Sequence, residues 1–250
     1  MSIKKTVTGL CIALFWLAVW QGIALAVGNE FFLPAPLTVV RALLNKLPTA
    51  LFWKQVALSV GRVLIGFVSA LAVGTLLGFL TAKINLLRTL FSPLLHFVRA
   101  APVASFILLA LVWISTDFLP AFISFLMGLP IVWEAVMQGV SRGNRELEEA
   151  ALVFHLSRGK TFIAVTLPAV LPNFKAAAVT CLGFCWKSAV AAEVICLPRF
   201  AIGHALYTAK NALETADVFA YTLVTVLLSV LLEYILRKAI LKREEAGRDD

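Results

Sequence analysis

The sequence predicts an all-α integral membrane protein with about six transmembrane helices, and three observations carry that prediction. Of its 250 residues, 61% are hydrophobic and only 14% are charged, with a mean hydropathy of +0.93, which is too apolar for a soluble domain of this size. The apolar residues stand in long blocks, each near the roughly 20 residues that a helix needs to cross a bilayer. The basic residues flank those blocks instead of interrupting them.

The blocks run Val7–Val27, Val56–Ala82, Leu90–Ser115, Leu119–Val140, Leu171–Ile195 and Val218–Leu236. The first follows Lys4 and Lys5 and ends near Ala24-Leu25-Ala26, which has the outline of a cleavable signal. Its apolar stretch, Leu10 to Trp20 continued by Ile23 to Val27, is longer than a usual signal core, so it reads as a retained span. Phe31 to Lys54 contains Leu33-Pro34-Ala35-Pro36 and then a mildly amphipathic stretch, read as an external loop and an interfacial helix. In the second block Ala70, Gly74 and Gly78 recur every four residues, a small-residue stripe that lets another helix approach closely. Packing within the chain is the plainer reading of that stripe, ahead of a subunit contact. The chain is expected to form a single transmembrane domain over 1–250: an N-terminal span at about 7–27, a core at about 56–240 and a polar tail at about 241–250, with a polar loop at about 141–168 inside the core.

Charge sets the expected orientation. With both termini in the cytoplasm, the inner segments hold Lys4, Lys5, Lys83, Arg88, Arg142, Arg145, Arg158, Lys160, Arg237, Lys238, Lys242, Arg243 and Arg248, and the outer ones Arg41, Lys46, Lys54, Arg62, Arg199 and Lys210. That bias of about two to one puts the 141–168 loop inside. It also accounts for the net charge of +8 through membrane lipid and span ends, with no nucleic-acid stripe of interleaved aromatics.

Enzymatic chemistry finds no foothold. There is no Gly-x-Ser-x-Gly elbow, no His-Glu-x-x-His helix and no paired carboxylate site. Cys11, Cys181, Cys185 and Cys196 lie in apolar blocks, and His96, His155 and His204 are scattered, so the cysteines read as packing residues and no metal site is expected. No Gly-x-x-x-x-Gly-Lys-Ser/Thr loop is present, so the chain is expected to bind no cofactor itself and to cradle no nucleotide phosphates.

The most informative segment is Glu149 to Pro168, EAALVFHLSRGKTFIAVTLP. As a helix it places Leu147, Ala150, Ala151 and Phe154 on one face, with Glu146, Glu148 and Glu149 in the first turns, where carboxylates suit the helix dipole. Small alanines on that face permit a close approach, and Pro168 and Pro172 are expected to break the helix before the next apolar block. The segment resembles the signature cytoplasmic loop of the permease subunits of bacterial ABC importers, through Glu149, Ala150, Ala151, Ser157, Arg158, Phe162, Val165, Leu167 and Pro168. His155 stands where that family has a glycine, at a left-handed turn that His tolerates better than most residues. The resemblance implies a coupling helix that docks on a separate ATP-binding cassette ATPase subunit carrying ATP and Mg, a second permease copy to form a homodimer, an extracytoplasmic solute-binding protein, and a place in the bacterial inner membrane.

Charges inside the blocks cost free energy and therefore face protein or water, which singles out Arg99, Glu134, Lys175, Lys187 and Glu193. Lys175 and Arg99 are near enough to span ends to snorkel. Glu134, Lys187 and Glu193, with Trp186 near the face of Glu193, are the candidates for the translocation path or for buried polar contacts. The stretch Trp186 to Glu193, Gly203 and Leu231 to Ile240 are similar to the permease group that serves nitrate, sulfonates, taurine and some pyrimidine vitamin precursors. Ala101-Pro102 is all that stands for that group's proline-rich stretch. The expected function is inward movement of a small solute on ATP energy; the alternative is an ion-coupled secondary transporter in which Glu134 and Glu193 bind protons.

Overall fold

The computed structural model describes residues 3–141 and 153–246, and among them there are helices and no strand. In chain order these are α1 (Ile3–Val27), α2 (Pro36–Lys46), α3 (Ala50–Lys83), α4 (Asn85–Ala100), α5 (Val103–Ala110), α6 (Leu119–Ser141), α7 (Arg158–Thr161), a π-turn at Phe162–Thr166, α8 (Leu167–Cys196), α9 (Ile202–Asn211) and α10 (Thr215–Ala246). The stretch read as an interfacial helix is α2, entered through Pro36 in its first turn, where a missing N–H costs nothing.

Helix α6 is the centre of the molecule, with α3 on one side and α8 on the other. Val63, Phe67 and Ala70 of α3, Val132 and Val136 of α6 and Cys181, Cys185 and Ala189 of α8 form the buried core between them. The small-residue stripe works within the chain: a Cβ added at Gly74 would stand 2.9 Å from the Val132 Cβ, and one at Gly78 would stand 2.7 Å from the Val136 Cβ and 2.8 Å from the Trp133 carbonyl. Since backbone is among the atoms that would have to move, Gly78→Ala is expected to destabilise the fold by about 1–3 kcal/mol through overpacking. A fall in the melting midpoint of the detergent-solubilised protein checks this, and an unchanged midpoint refutes the tight α3–α6 contact. Cys181 and Cys185 serve the same seam, with their sulfurs directed at the carbonyls of Gly128 (3.6 Å) and Ser124 (3.2 Å) of α6.

Helix α1 stands apart and presents most of its apolar side chains outward. It is held by the Trp20 indole N–H, which donates to the Pro34 carbonyl at 3.2 Å, and by stacking of Trp20 on Phe219 at 5.9 Å.

Two expectations change. The predicted span Leu90–Ser115 is not one straight helix but α4 and α5, bent by 104° at Ala101-Pro102. Pro102 supplies no N–H and forces extended geometry on Ala101, which has φ −77° and ψ 139°. Helix α4 also carries Asn85, Arg88, Ser92, His96 and Arg99 on one face, the pattern of a helix with one polar side. Among the described residues five helices are thus long and apolar enough to span a bilayer, six if the bent pair counts as one span. The second change concerns Pro168 and Pro172, which do not break the chain's helix. The π-turn Phe162–Thr166 precedes Pro168, and a widened turn of this kind relieves the clash of the Pro168 ring with the carbonyl four residues back; α8 then runs on through Pro172 in its interior.

Candidate functional site

Glu149, Ala150 and Ala151 lie outside the described residues. Further along the same segment, His155 adopts φ +49°, the left-handed turn its position demands. Ser157 then starts α7, its hydroxyl accepting the Lys160 N–H at 3.5 Å and its carbonyl the Thr161 N–H at 2.9 Å, with Arg158 as the first residue of that helix. Phe162 packs on Phe79 of α3, ring centroids 5.5 Å apart, and Val165 is buried, so this half of the segment is fastened to the end of α3. Leu167 and Pro168 are exposed at the start of α8. On the other side of the turn, Val153 and Phe154 are 74% and 76% exposed, an apolar pair that no described residue of this chain covers.

At the opposite end of the bundle, Glu193 is the hub of a buried network. Its carboxylate, 1% exposed, accepts from the Ser59 hydroxyl at 2.8 Å, from the Gly203 N–H at 3.1 Å and from the Arg62 guanidinium at 3.4 Å. Ser59 in turn accepts the Ile202 N–H at 3.0 Å. The first N–H groups of a helix have no partner within it, and Ala201, the residue before α9, has no side-chain oxygen to offer, so Ser59 and Glu193 cap α9 from two other helices. Arg62 completes the network, donating to the Asp117 carbonyl (3.1 Å) and carboxylate (3.3 Å), to the Arg199 carbonyl (3.0 Å) and to the Phe200 carbonyl (3.4 Å). One side chain of α3 therefore holds the loop before α6, the end of α8 and the entry to α9. Beside it, a cavity of about 400 Å³ opens between α2, α9 and α10, with the Lys46–Asp217 ion pair and Tyr221 in its wall.

Glu134 on α6 is neutralised elsewhere, by an ion pair with Arg99 of α4 and by the Gln138 amide at 3.1 Å. Arg99 also donates to the Pro130 carbonyl at 3.2 Å, so it is held against protein and does not snorkel alone. Trp186 is buried and donates from its indole to the Thr225 carbonyl at 3.0 Å, which pins α8 to α10. Lys187, the next residue, is exposed and lines a cleft between α8 and α10 with Trp186 and Thr225, with no hydrogen bond or ion pair among the described residues. Thus the structure separates the candidates: Glu193 and Trp186 tie helices together, Glu134 closes an α4–α6 pair, and Lys187 lines the α8–α10 cleft. Sequence reasoning misses Ser59, Arg62 and Asp117, although Ser59, Arg62 and Gly66 share one helical face of the second block. It also misses Glu233, a carboxylate within the last span that lines the same cleft as Lys187.

A bundle of helices long and apolar enough to cross a membrane, a buried charged network at one end and a fastened loop beside an exposed apolar pair at the other are the features of a multi-pass membrane subunit. Residues 71–243 match the binding-protein-dependent transport system inner membrane component family, and this chain belongs to it. It is 27% identical over 240 residues to a probable ABC transporter permease protein of Brucella melitensis biotype 1, covering 96% of this chain and 97% of that protein. It is 26% identical over 229 residues to the taurine transport system permease protein TauC of Escherichia coli strain K12, covering 88% and 82%. A chain of the inward-facing MetNI methionine ABC transporter superposes with a TM-score of 0.60 over 76% of this chain and 93% of that one, a likeness of fold at 17% identity. The chain is accordingly a multi-pass inner-membrane permease subunit of a binding-protein-dependent ABC importer, a transport family and not a catalytic one. The ion-coupled secondary transporter is set aside with that assignment.

Proposed function

We propose that two copies of this chain form the membrane pore of the importer, one transmembrane unit each, with both termini and the 141–168 loop in the cytoplasm. The observation that carries this reading is the described half of the coupling segment: a left-handed turn at His155, an anchor of Phe162 on Phe79 of α3, and an exposed Val153-Phe154 pair on the other side of that turn. An apolar pair so placed suits the cleft of an ATPase subunit, which would supply the ATP and Mg that this chain has no loop to hold. The α9 end, with its open cavity, would then face an extracytoplasmic binding protein. Lys187, which no described residue pairs, would receive an anionic group of the solute, as in a sulfonate or nitrate.

The orientation is tested by single cysteines at Ser157 and Thr208 in a background cleared of native cysteines. In intact spheroplasts an impermeant maleimide is expected to label Thr208→Cys and to reach Ser157→Cys only after the membrane is opened. Equal labelling of both before opening overturns the proposed topology.

A further inference from the structure

Helix α1 runs beside the bundle without closing on it. Between α1 and α10 lies a groove of about 480 Å³, lined by Trp16, Val19 and Ile23 on one side and by Phe219, Leu223 and Val226 on the other. Its walls offer little to a polar occupant: the Trp20 indole donates to the Pro34 carbonyl, and the Thr222 hydroxyl donates to the Val218 carbonyl of its own helix at 2.7 Å. The α1 residues of the wall extend over about 10 Å at 1.5 Å per residue, and a helix of that length and about 10 Å across would fill roughly 800 Å³, more than the groove holds. An unbranched alkyl chain fits where a helix does not.

At the end of the bundle that carries α9, the groove adjoins a second cavity of about 400 Å³. Leu33 and Phe219 line the first, and their near neighbours Pro34 and Asp217 line the second. The Thr215 hydroxyl donates to the Phe31 carbonyl at 2.6 Å and joins the two walls of the second cavity. This cavity is acidic. Glu30, Glu214 and Asp217 line it, and its described lining residues include no lysine or arginine. Lys46 pairs with Asp217. Glu30 accepts only the Thr38 hydroxyl, at 2.9 Å, and neither Glu30 nor Glu214 makes an ion pair among the described residues. Phe31 adds an aromatic ring to the same wall, and such a ring also favours a cation.

We propose that groove and cavity together bind one phosphatidylethanolamine molecule, with an acyl chain between α1 and α10 and the ammonium group among Glu30, Glu214 and Phe31. An apolar groove alone would accept any membrane lipid. The carboxylates make the choice, because phosphatidylglycerol brings a net negative charge and no ammonium to a place where phosphatidylethanolamine forms a charge-assisted hydrogen bond. The bound lipid fills the gap beside Trp20 and so fastens α1 to the core.

The test supplies the full-length permease in detergent with equal amounts of palmitoyl-oleoyl phosphatidylethanolamine and phosphatidylglycerol, and counts bound lipid by native mass spectrometry. Wild type is expected to retain the ethanolamine lipid over the glycerol lipid by about fivefold or more. Glu30→Gln combined with Glu214→Gln, both at exposed positions, should abolish the preference while lipid is still retained. Ile23→Trp, at a half-exposed position in the groove wall, should reduce retention of both lipids with helix content unchanged. A wild type without preference overturns the proposal, as does a preference that survives the double glutamine variant. Undiminished lipid retention by Ile23→Trp overturns it too, and if that variant also loses the dimer, the groove belongs to a second copy of the chain.

Discussion

Glu193→Ala is expected to cost about 3–5 kcal/mol of stability and to abolish uptake, because it removes one partner of a buried ionic network and strands the rest. The Arg62 guanidinium, 11% exposed, would keep its carbonyl partners but lose its buried counter-charge. The Gly203 N–H would lose its acceptor, and α9 would lose half of its cap. Glu193→Gln is expected to be milder, at about 1–2 kcal/mol, since the amide keeps one oxygen for Gly203 and places its NH2 where the longest contact, 3.4 Å to Arg62, now stands. Thermal unfolding of the purified protein gives the order wild type, Gln, Ala. ATP-driven uptake into proteoliposomes should follow the same order, with the Gln variant retaining most of its activity. An alanine variant as stable as wild type would falsify the role of Glu193 as the clasp at this end of the bundle.

Apolar block length and small-residue spacing are legible in the sequence because they are local. The second block becomes α3, and the Ala70-Gly74-Gly78 stripe meets α6 within the chain, in keeping with the plainer reading. The left-handed turn at His155 is legible for the same reason, as is the burial of Glu193, a short side chain unable to reach the membrane surface. What escapes is non-local. Charge counting assigns Arg62 to an outer segment, yet it meets Glu193, 131 residues away, and Asp117, 55 residues away. Nothing in the spacing of one helix reveals which other helix will face it. Glu233 lies inside the block Val218–Leu236 and escapes because it stands near the end of that block, four residues before Arg237, and reads with the charged span end, although α10 continues well beyond it. The bend at Ala101-Pro102 is legible in principle, since the polar face of α4 is written at helical spacing. Hydropathy alone averages that face away.

Ala151→Arg is expected to uncouple the importer. In the helix read for this segment, Ala150 and Ala151 share a face with Leu147 and Phe154, and the last of these is 76% exposed. A face of two alanines between larger apolar residues allows another protein's surface to come close. An arginine there introduces a long charged side chain into a contact that must exclude water, and a charge buried without a partner costs several kcal/mol, enough to lower affinity for the ATPase by about a hundredfold or more. The permease itself should remain intact, because the described anchors, Phe162 on Phe79 and Val165 in the core, lie on the far side of the His155 turn. Co-purification of the ATPase subunit with the variant and measurement of binding-protein-stimulated ATP hydrolysis distinguish the cases. Loss of both with an unchanged melting midpoint is the expected result, whereas wild-type recovery of the ATPase together with wild-type stimulation would place the coupling contact elsewhere on the cytoplasmic face.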